Sequence, residues 1–272
     1  MPSLNSHNRD APIGIFDSGV GGISIANAIT KLLPNEEMIY VADSANAPYG
    51  EKSPDLVLAR CQRIIDFLIS QKVKLIVVAC NTATLTCIGK LRSLYAIDFV
   101  GVEPGIKPAL QATQTGVIGV MATANTLKSP QYAQLQKRFS GDKAIVNQAC
   151  KGLVEQIENL HFDDAQTIEM LQQYLDPMLK ANADHIVLGC THYGFLSEQI
   201  GKIVGRQTTL VNTSEAIAKQ VENRLIALDI FTSKKQKANS RIYSSQFDEK
   251  TRFTCETLWH GNFTKTSAFD IN

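Results

Sequence analysis

The feature that most constrains this chain is a train of short apolar runs, at residues 13–16, 38–42, 75–79, 99–102, 117–121, 144–147, 185–189 and 209–211. Each is apolar nearly throughout rather than alternating, the pattern of a strand buried on both faces of a parallel sheet. The segments between them are long enough for helical crossovers of about 10–18 residues, which parallel pairing requires. The pattern predicts a doubly wound α/β fold. Residues 53–70 show the helical grammar. Ser53 caps, Pro54 suits the first turn, Asp55 faces the positive helix end, and Leu56, Ile64, Phe67 and Leu68 form an inward face. A second helix is expected over 163–180, with Ile168, Leu171, Leu175 and Leu179 on one side, and Ser214 reads as the cap of a third. Residues 231–240 read as a solvated loop, followed by a strand near Ile242 and a short helix around Glu256. At 272 residues the chain is long for one core and suits two lobes of about 100–150 residues each.

An internal repeat sharpens this. Ile13-Gly14-Ile15-Phe16-Asp17-Ser18 recurs in type as Ile118-Gly119-Val120-Met121-Ala122-Thr123, an offset of 105. Leu75-Ile76-Val77-Val78-Ala79-Cys80-Asn81-Thr82 recurs as His185-Ile186-Val187-Leu188-Gly189-Cys190-Thr191-His192, an offset of 110. The match predicts two pseudo-symmetric lobes, one of residues 1–103 with 213–272 and one of 104–212, with the active site in the cleft between them. Each lobe delivers a cysteine to the carboxyl end of a buried strand, the edge where ligands bind in open α/β sheets.

A thiol at a helix amino terminus is favoured as thiolate, its pKa drawn from about 8.5 toward neutrality. A thiolate facing a thiol is a base–acid pair, suited to inverting a carbon centre by taking a proton from one face and returning one to the other. Cys80 and Cys190 could instead be small buried hydrophobes, the common fate of unpaired cysteines. Their matching positions, each followed by polar residues, favour the chemical reading. Cys61, Cys87, Cys150 and Cys255 lack that context and read as structural.

Other classes fare worse. With 27 Lys and Arg against 26 Asp and Glu, the formal charge of +1 argues against a nucleic-acid binder. No apolar run reaches the roughly 20 residues of a membrane span. Residues 1–10 are polar with no export signal, so the thiols are expected to be reduced and the protein cytoplasmic. The turn from Asp17 to Gly22 lacks the frame of a dinucleotide fingerprint and any Gly-Lys-Ser/Thr. Neither Cys80 nor Cys190 is followed by the arginine of a cysteine phosphatase, and Cys80, Cys87, Cys190 and His192 have no recognised metal-ligand spacing, so no metal is expected.

At these residues the chain resembles the glutamate racemases of the cofactor-independent aspartate/glutamate racemase superfamily. The resemblance is carried by IGIFDSGVGG at 13–22, VADSANAPYG at 41–50, VVACNTAT at 77–84, GVEPGIKPA at 101–109, VIGVMATANTLKS at 117–129 and LGCTHYGFL at 188–196. It implies that Cys80 takes the α-proton from D-glutamate and Cys190 from L-glutamate, without a cofactor, in peptidoglycan synthesis. Asp17 and His192 would assist proton transfer or hold the substrate ammonium, and Glu155 would orient the histidine. Ser18, Pro48, Tyr49, Gly50, Asn81, Thr82, Thr123, Thr126 and Thr191 would join Asp17 and His192 in lining the substrate. The motifs hold no arginine or lysine, so two carboxylates would be met by amide and hydroxyl dipoles, which also stabilise a carbanionic transition state. Asn125-Thr126 stands where many members have Gly-Thr, and Gly194-Phe195 where Pro-Leu is common. The partner implied is glutamate, with no nucleic acid or membrane and a homodimer as one assembly. The alternatives are an aspartate racemase, disfavoured by His192, and a non-catalytic amino-acid-binding module.

Overall fold

The computed structural model describes residues 8–269; the polar stretch at the amino terminus lies, over residues 1–7, outside the described residues. The strands, in chain order, are β1 (Ile13–Asp17), β2 (Met38–Ala42), β3 (Leu75–Val78), β4 (Phe99–Gly101), β5 (Val117–Ala122), β6 (Ala144–Ala149), β7 (His185–Leu188), β8 (Thr209–Val211), β9 (Ser240–Ser244) and β10 (Phe263–Ala268). They form two sheets, ordered β10-β9-β2-β1-β3-β4 and β6-β5-β7-β8, in which every pairing is parallel.

The second sheet repeats the β2-β1-β3-β4 order of the first. The repeat holds in register as well: Ile13 pairs with Leu75 in one lobe and Ile118 with His185 in the other. In each lobe the strand order reverses beside the first strand, β1 or β5, so a topological switch point opens at its carboxyl end.

All eight apolar runs become strands. Ala79, Val102 and Gly189 fall just past their ends, where the chain leaves the ladder. The central strands are buried on both faces, whereas β6 is an edge strand with exposed and half-buried side chains. On the first sheet, Ile23–Leu32, Ser214–Ala227 and Glu249–Leu258 cover one face and Pro54–Ser70 and Asn81–Leu94 the other. On the second, Leu153–Glu158 and Ala165–Lys180 cover one face, and Ile106–Ala112 and Pro130–Phe139 the other.

Some local readings are corrected. Ser53 does cap Pro54–Ser70, its hydroxyl accepting from Leu56 N–H, but Leu56 is exposed and Val57, Cys61 and Ile65 complete the inward face. In Ala165–Lys180 the buried stripe closes on Met178 rather than Leu179. Ser214 is the first residue of its helix, not the cap; its amide and hydroxyl both donate to Asn212 Oδ1. The strand near Ile242 and the helix around Glu256 are present as β9 and Glu249–Leu258, while the polar edge strand β10 escaped the sequence reading.

Candidate active site

The turn after β1 is built around one carboxylate. Asp17 is fully buried, its Oδ1 accepting from Ser18 N–H at 2.6 Å and its Oδ2 from Gly22 N–H at 2.5 Å. The Tyr40 hydroxyl donates to the Gly19 carbonyl at 2.6 Å and fixes the far side of the turn. Thr191, from the other lobe, donates its hydroxyl to Asp17 Oδ2 at 3.1 Å.

Cys80 and Cys190 stand at equivalent places. Each leaves its strand in extended conformation (φ −135°, ψ 119° and φ −138°, ψ 135°) and immediately precedes a helical turn, Asn81–Leu94 or Thr191–Leu196. Cys80 Sγ lies 3.8 Å from Ser18 Oγ, beside Asp17. Cys190 Sγ lies 3.8 Å from His192 Nδ1, which is 4.0 Å from Asp17 Oδ2. The two thiol-bearing ends therefore meet across the lobe boundary. Both cysteines, Asp17, Ser18, Asn81, Thr82, Thr191 and His192 are buried, so the cleft is closed over them.

The polar neighbours set unlike electrostatics for the two sides. Burial, then the Asp17 charge, pushes the Cys80 thiol well above its ordinary range, against the lowering expected from the helix terminus. Burial also raises the Asp17 carboxyl, although His192, Cys80, Ser18 and Thr191 act the other way. For His192 burial opposes the charged ring, yet the Cys190 sulfur and the Glu158 carboxylate outweigh it and lift its pKa well above the usual imidazole value. His192 Nε2 donates to Glu158 Oε1 at 2.7 Å, which turns Nδ1 toward the sulfur.

That carboxylate is Glu158, not Glu155. The two lie three residues apart in Leu153–Glu158, and only Glu158 reaches the ring; its Oε1 also accepts from Val20 N–H at 2.8 Å. Glu155 lines two hollows at the cleft mouth that share Pro48, and Glu158 borders the second of them as well.

The remaining expected residues fall into two groups. Thr82 Oγ1 sits 3.0 Å from Thr123 Oγ1 and 3.2 Å from Thr126 Oγ1, joining the lobes through hydroxyls. Asn81 donates to the Val102 carbonyl at 3.4 Å. Pro48 and Gly50 line a hollow of about 70 Å³ with Thr123 and Cys150, and a Cβ on Gly50 would stand 2.5 Å from Thr123 Cβ. Tyr49 packs in the same core cluster as Cys80; its hydroxyl donates to Asp43 Oδ2 at 2.5 Å, and Arg60 grips the same carboxylate through Nε at 2.9 Å and Nη2 at 2.7 Å. The sequence reading missed Glu158, Asp43, Arg60 and Tyr40. For Asp43 a signal existed, since it follows β2 as Asp17 ends β1 and Cys80 follows β3. Among the described residues no group of three or more His, Cys, Asp or Glu side chains is placed to hold a metal ion. None of the described helices is long and apolar enough to cross a membrane.

Residues 23–221 match the Asp/Glu/hydantoin racemase family. A glutamate racemase of Pseudomonas putida is 43% identical over 253 residues, spanning 93% of this chain and 95% of the relative. The crystal structure of glutamate racemase isoform RacE1 from Bacillus anthracis superposes with a TM-score of 0.86 at 28% identity, covering 97% of this chain and 98% of that one. Escherichia coli glutamate racemase, in complex with L-glutamate and the activator UDP-MurNAc-Ala, gives a TM-score of 0.85 at 30% identity, covering 96% and 99%.

Proposed function

Since the chain belongs to the glutamate racemase branch of the Asp/Glu/hydantoin racemase family, we infer that it interconverts L- and D-glutamate by proton transfer at the α-carbon. The observation that carries the reading is the pair Cys80 and Cys190, at equivalent strand ends and joined through Asp17, Thr191 and His192.

In the proposed mechanism Cys190 thiolate takes the α-proton of L-glutamate: the Cα–H bond breaks, an S–H bond forms, and the electron pair stays on the α-carbon. The Cys80 thiol then gives its proton to the opposite face, yielding D-glutamate. The reverse reaction exchanges the roles. The imidazolium of His192 stabilises negative charge on the Cys190 sulfur, and Glu158 holds that ring in place. Asp17 plays the polar partner of Cys80 and offers a carboxylate to the substrate ammonium. Hydroxyls and amides of Ser18, Asn81, Thr82, Thr123, Thr126 and Thr191 would receive the two carboxylates as fixed dipoles in a water-poor site. No basic side chain stands among them. Pro48, Tyr49 and Gly50 complete that lining, with Tyr49 anchored through its hydroxyl to Asp43. The lobe division at 103/104 and 212/213 belongs to the same reading, supported by the origin of each sheet's strands. D-Glutamate for peptidoglycan is the proposed use, in the cytoplasm, with a homodimer as the proposed assembly.

The test is to follow the ellipticity of L- or D-glutamate, and separately of aspartate, with protein free of pyridoxal phosphate. Glutamate should lose optical activity from either side and take up α-deuterium in heavy water. Cys80→Ser and Cys190→Ser should each lose about 10²–10⁴-fold in racemisation, the usual worth of a positioned base. Binding without deuterium uptake would select the binding-module alternative, and ordinary inversion by either serine variant would overturn the two-thiol roles.

A further inference from the structure

With the cleft closed over the buried thiols, a ligand reaches them only if the lobes part, so some contacts must act as the closure. The turn Tyr49–Glu51 meets the other lobe at a hollow of about 70 Å³, which Gly50 and Glu51 line together with Thr123 and Ala124, and a second hollow of about 360 Å³ borders the residue that follows it, Lys52. Its Gly50 rests on Thr123 of the opposite lobe. Both ends of this turn are held by one side chain of that lobe: Asn125 Nδ2 donates to the Tyr49 carbonyl at 3.1 Å and to the Lys52 carbonyl at 2.7 Å. Two carbonyl acceptors fix the orientation of the amide, because only its NH2 end supplies two donors.

We propose that Asn125 is a positioning residue that latches the cleft, clamping the Tyr49–Glu51 turn of one lobe onto the helical turn that follows β5 in the other, so that Pro48 and Gly50 sit over the bound amino acid. Among the described residues no other side chain of Ala124–Lys128 hydrogen-bonds both ends of the turn, and the Thr82 hydroxyl contacts with Thr123 and Thr126 lie deeper in the cleft. The latch bonds are made only when the lobes are together. Losing them shifts the protein toward the open form without touching the groups that move the proton.

The kinetic arm rests on the racemase reading; the labelling arm does not. Asn125→Asp is the sharp variant. It keeps side-chain size, and an aspartate is favourable in the first turn of a helix, yet it removes both donors and aims a carboxylate at two carbonyl oxygens. Asn125→Ala removes the donors without adding charge. Each protein is treated with iodoacetamide in the absence of ligand, and the modified cysteines are located by peptide mass mapping. Both variants should label Cys80 and Cys190 about tenfold faster or more, the scale of two lost neutral hydrogen bonds. Cys255, buried in the core of the first lobe, should label at the parent rate. In the kinetic arm KM should rise by a similar factor for L- and D-glutamate alike, with the acidic and basic limbs of the pH–rate profile unmoved. Parent-like labelling of Cys80 and Cys190 in both variants overturns the latch, and so does faster labelling of Cys255, which would mean a loosened fold. If the parent protein does not racemise glutamate, the racemase reading fails while the labelling result still judges the latch.

Discussion

Replacing Glu158 by glutamine tests the histidine side of the site. The carboxylate accepts from His192 Nε2 at 2.7 Å with the ring almost wholly buried, and it is one of the groups that raise the imidazole pKa. A glutamine keeps the shape and can still accept from Nε2 and from Val20 N–H, but it carries no charge. A hydrogen bond to a charged group contributes about 1.5–3 kcal/mol, which at 1.36 kcal/mol per unit is about one to two pKa units. The imidazolium facing Cys190 should therefore lose its proton about one to two units earlier as pH rises. The sign follows from a raised folded pKa: the favourable charged form is present at low pH and lost as pH climbs through that value. The assay is the ellipticity of each glutamate enantiomer from pH 6 to 10. The basic limb of kcat/KM should move toward neutrality by that amount, and kcat/KM near the parent optimum should fall about 10–100-fold, the same energy expressed as a rate. The loss must be equal from both enantiomers, because they have the same free energy in water and no catalyst alters their equilibrium. Glu155→Gln, at the cleft mouth, should leave kcat/KM within about threefold and the basic limb unmoved. A parent-like basic limb in Glu158→Gln, or the shift appearing in Glu155→Gln, would refute the assignment.

Two further perturbations reach the scaffold. A Cβ on Gly21 would overlap the His192 ring, so Gly21→Ala should displace the imidazole and cost about 10²-fold in kcat/KM, the scale of an ångström of misplacement; racemisation within threefold of the parent would contradict the close packing. Lys74 and Glu36 form a buried pair at 2.6 Å, and Lys74 Nζ also donates to the Arg9 and Ile230 carbonyls. Lys74→Ala should destabilise the protein by about 3–5 kcal/mol in urea unfolding by stranding the Glu36 charge, and a loss below about 1 kcal/mol would show that the carboxylate is not held in a dry site.

The fold was legible because its strands are buried on both faces. A two-sided burial requirement leaves an almost purely apolar run, and a parallel sheet spaces such runs by whole helices. The edges carry no such requirement. β6 is half exposed yet still readable through its Ile and Val, whereas β10, with the sequence Phe-Thr-Lys-Thr-Ser-Ala, has one large apolar residue and left no pattern. Helix faces slipped by one position at Leu56 and Leu179 for a related reason. Beside each stands another apolar residue, Val57 or Met178, and composition alone does not say which of two adjacent side chains turns inward.

The site divides along the same physical line. Asp17, Cys80 and Cys190 were readable because their positions follow from a strand ending: once the strand is placed, the next residue is at the carboxyl edge whatever its neighbours do. The internal repeat then says which endings correspond, and the shared register of β1 with β3 and β5 with β7 shows why it could. Glu158 depends instead on the rotation of a six-residue helix. Glu155 and Glu158 are one turn apart, about 60° in azimuth at 3.6 residues per turn, and both stand on a rim between apolar positions. What selects Glu158 is the Ser18–Gly22 turn of the other lobe, whose Val20 amide supplies a second partner to the same oxygen. The choice is made by a residue 138 positions away, so no local pattern contains it. Asp43, Arg60 and Asn125 obey the same rule, each acting through a partner on a different element. The chain thus writes the placement of its two strand-end thiols locally and writes their support non-locally, in contacts that exist only after the two lobes have met.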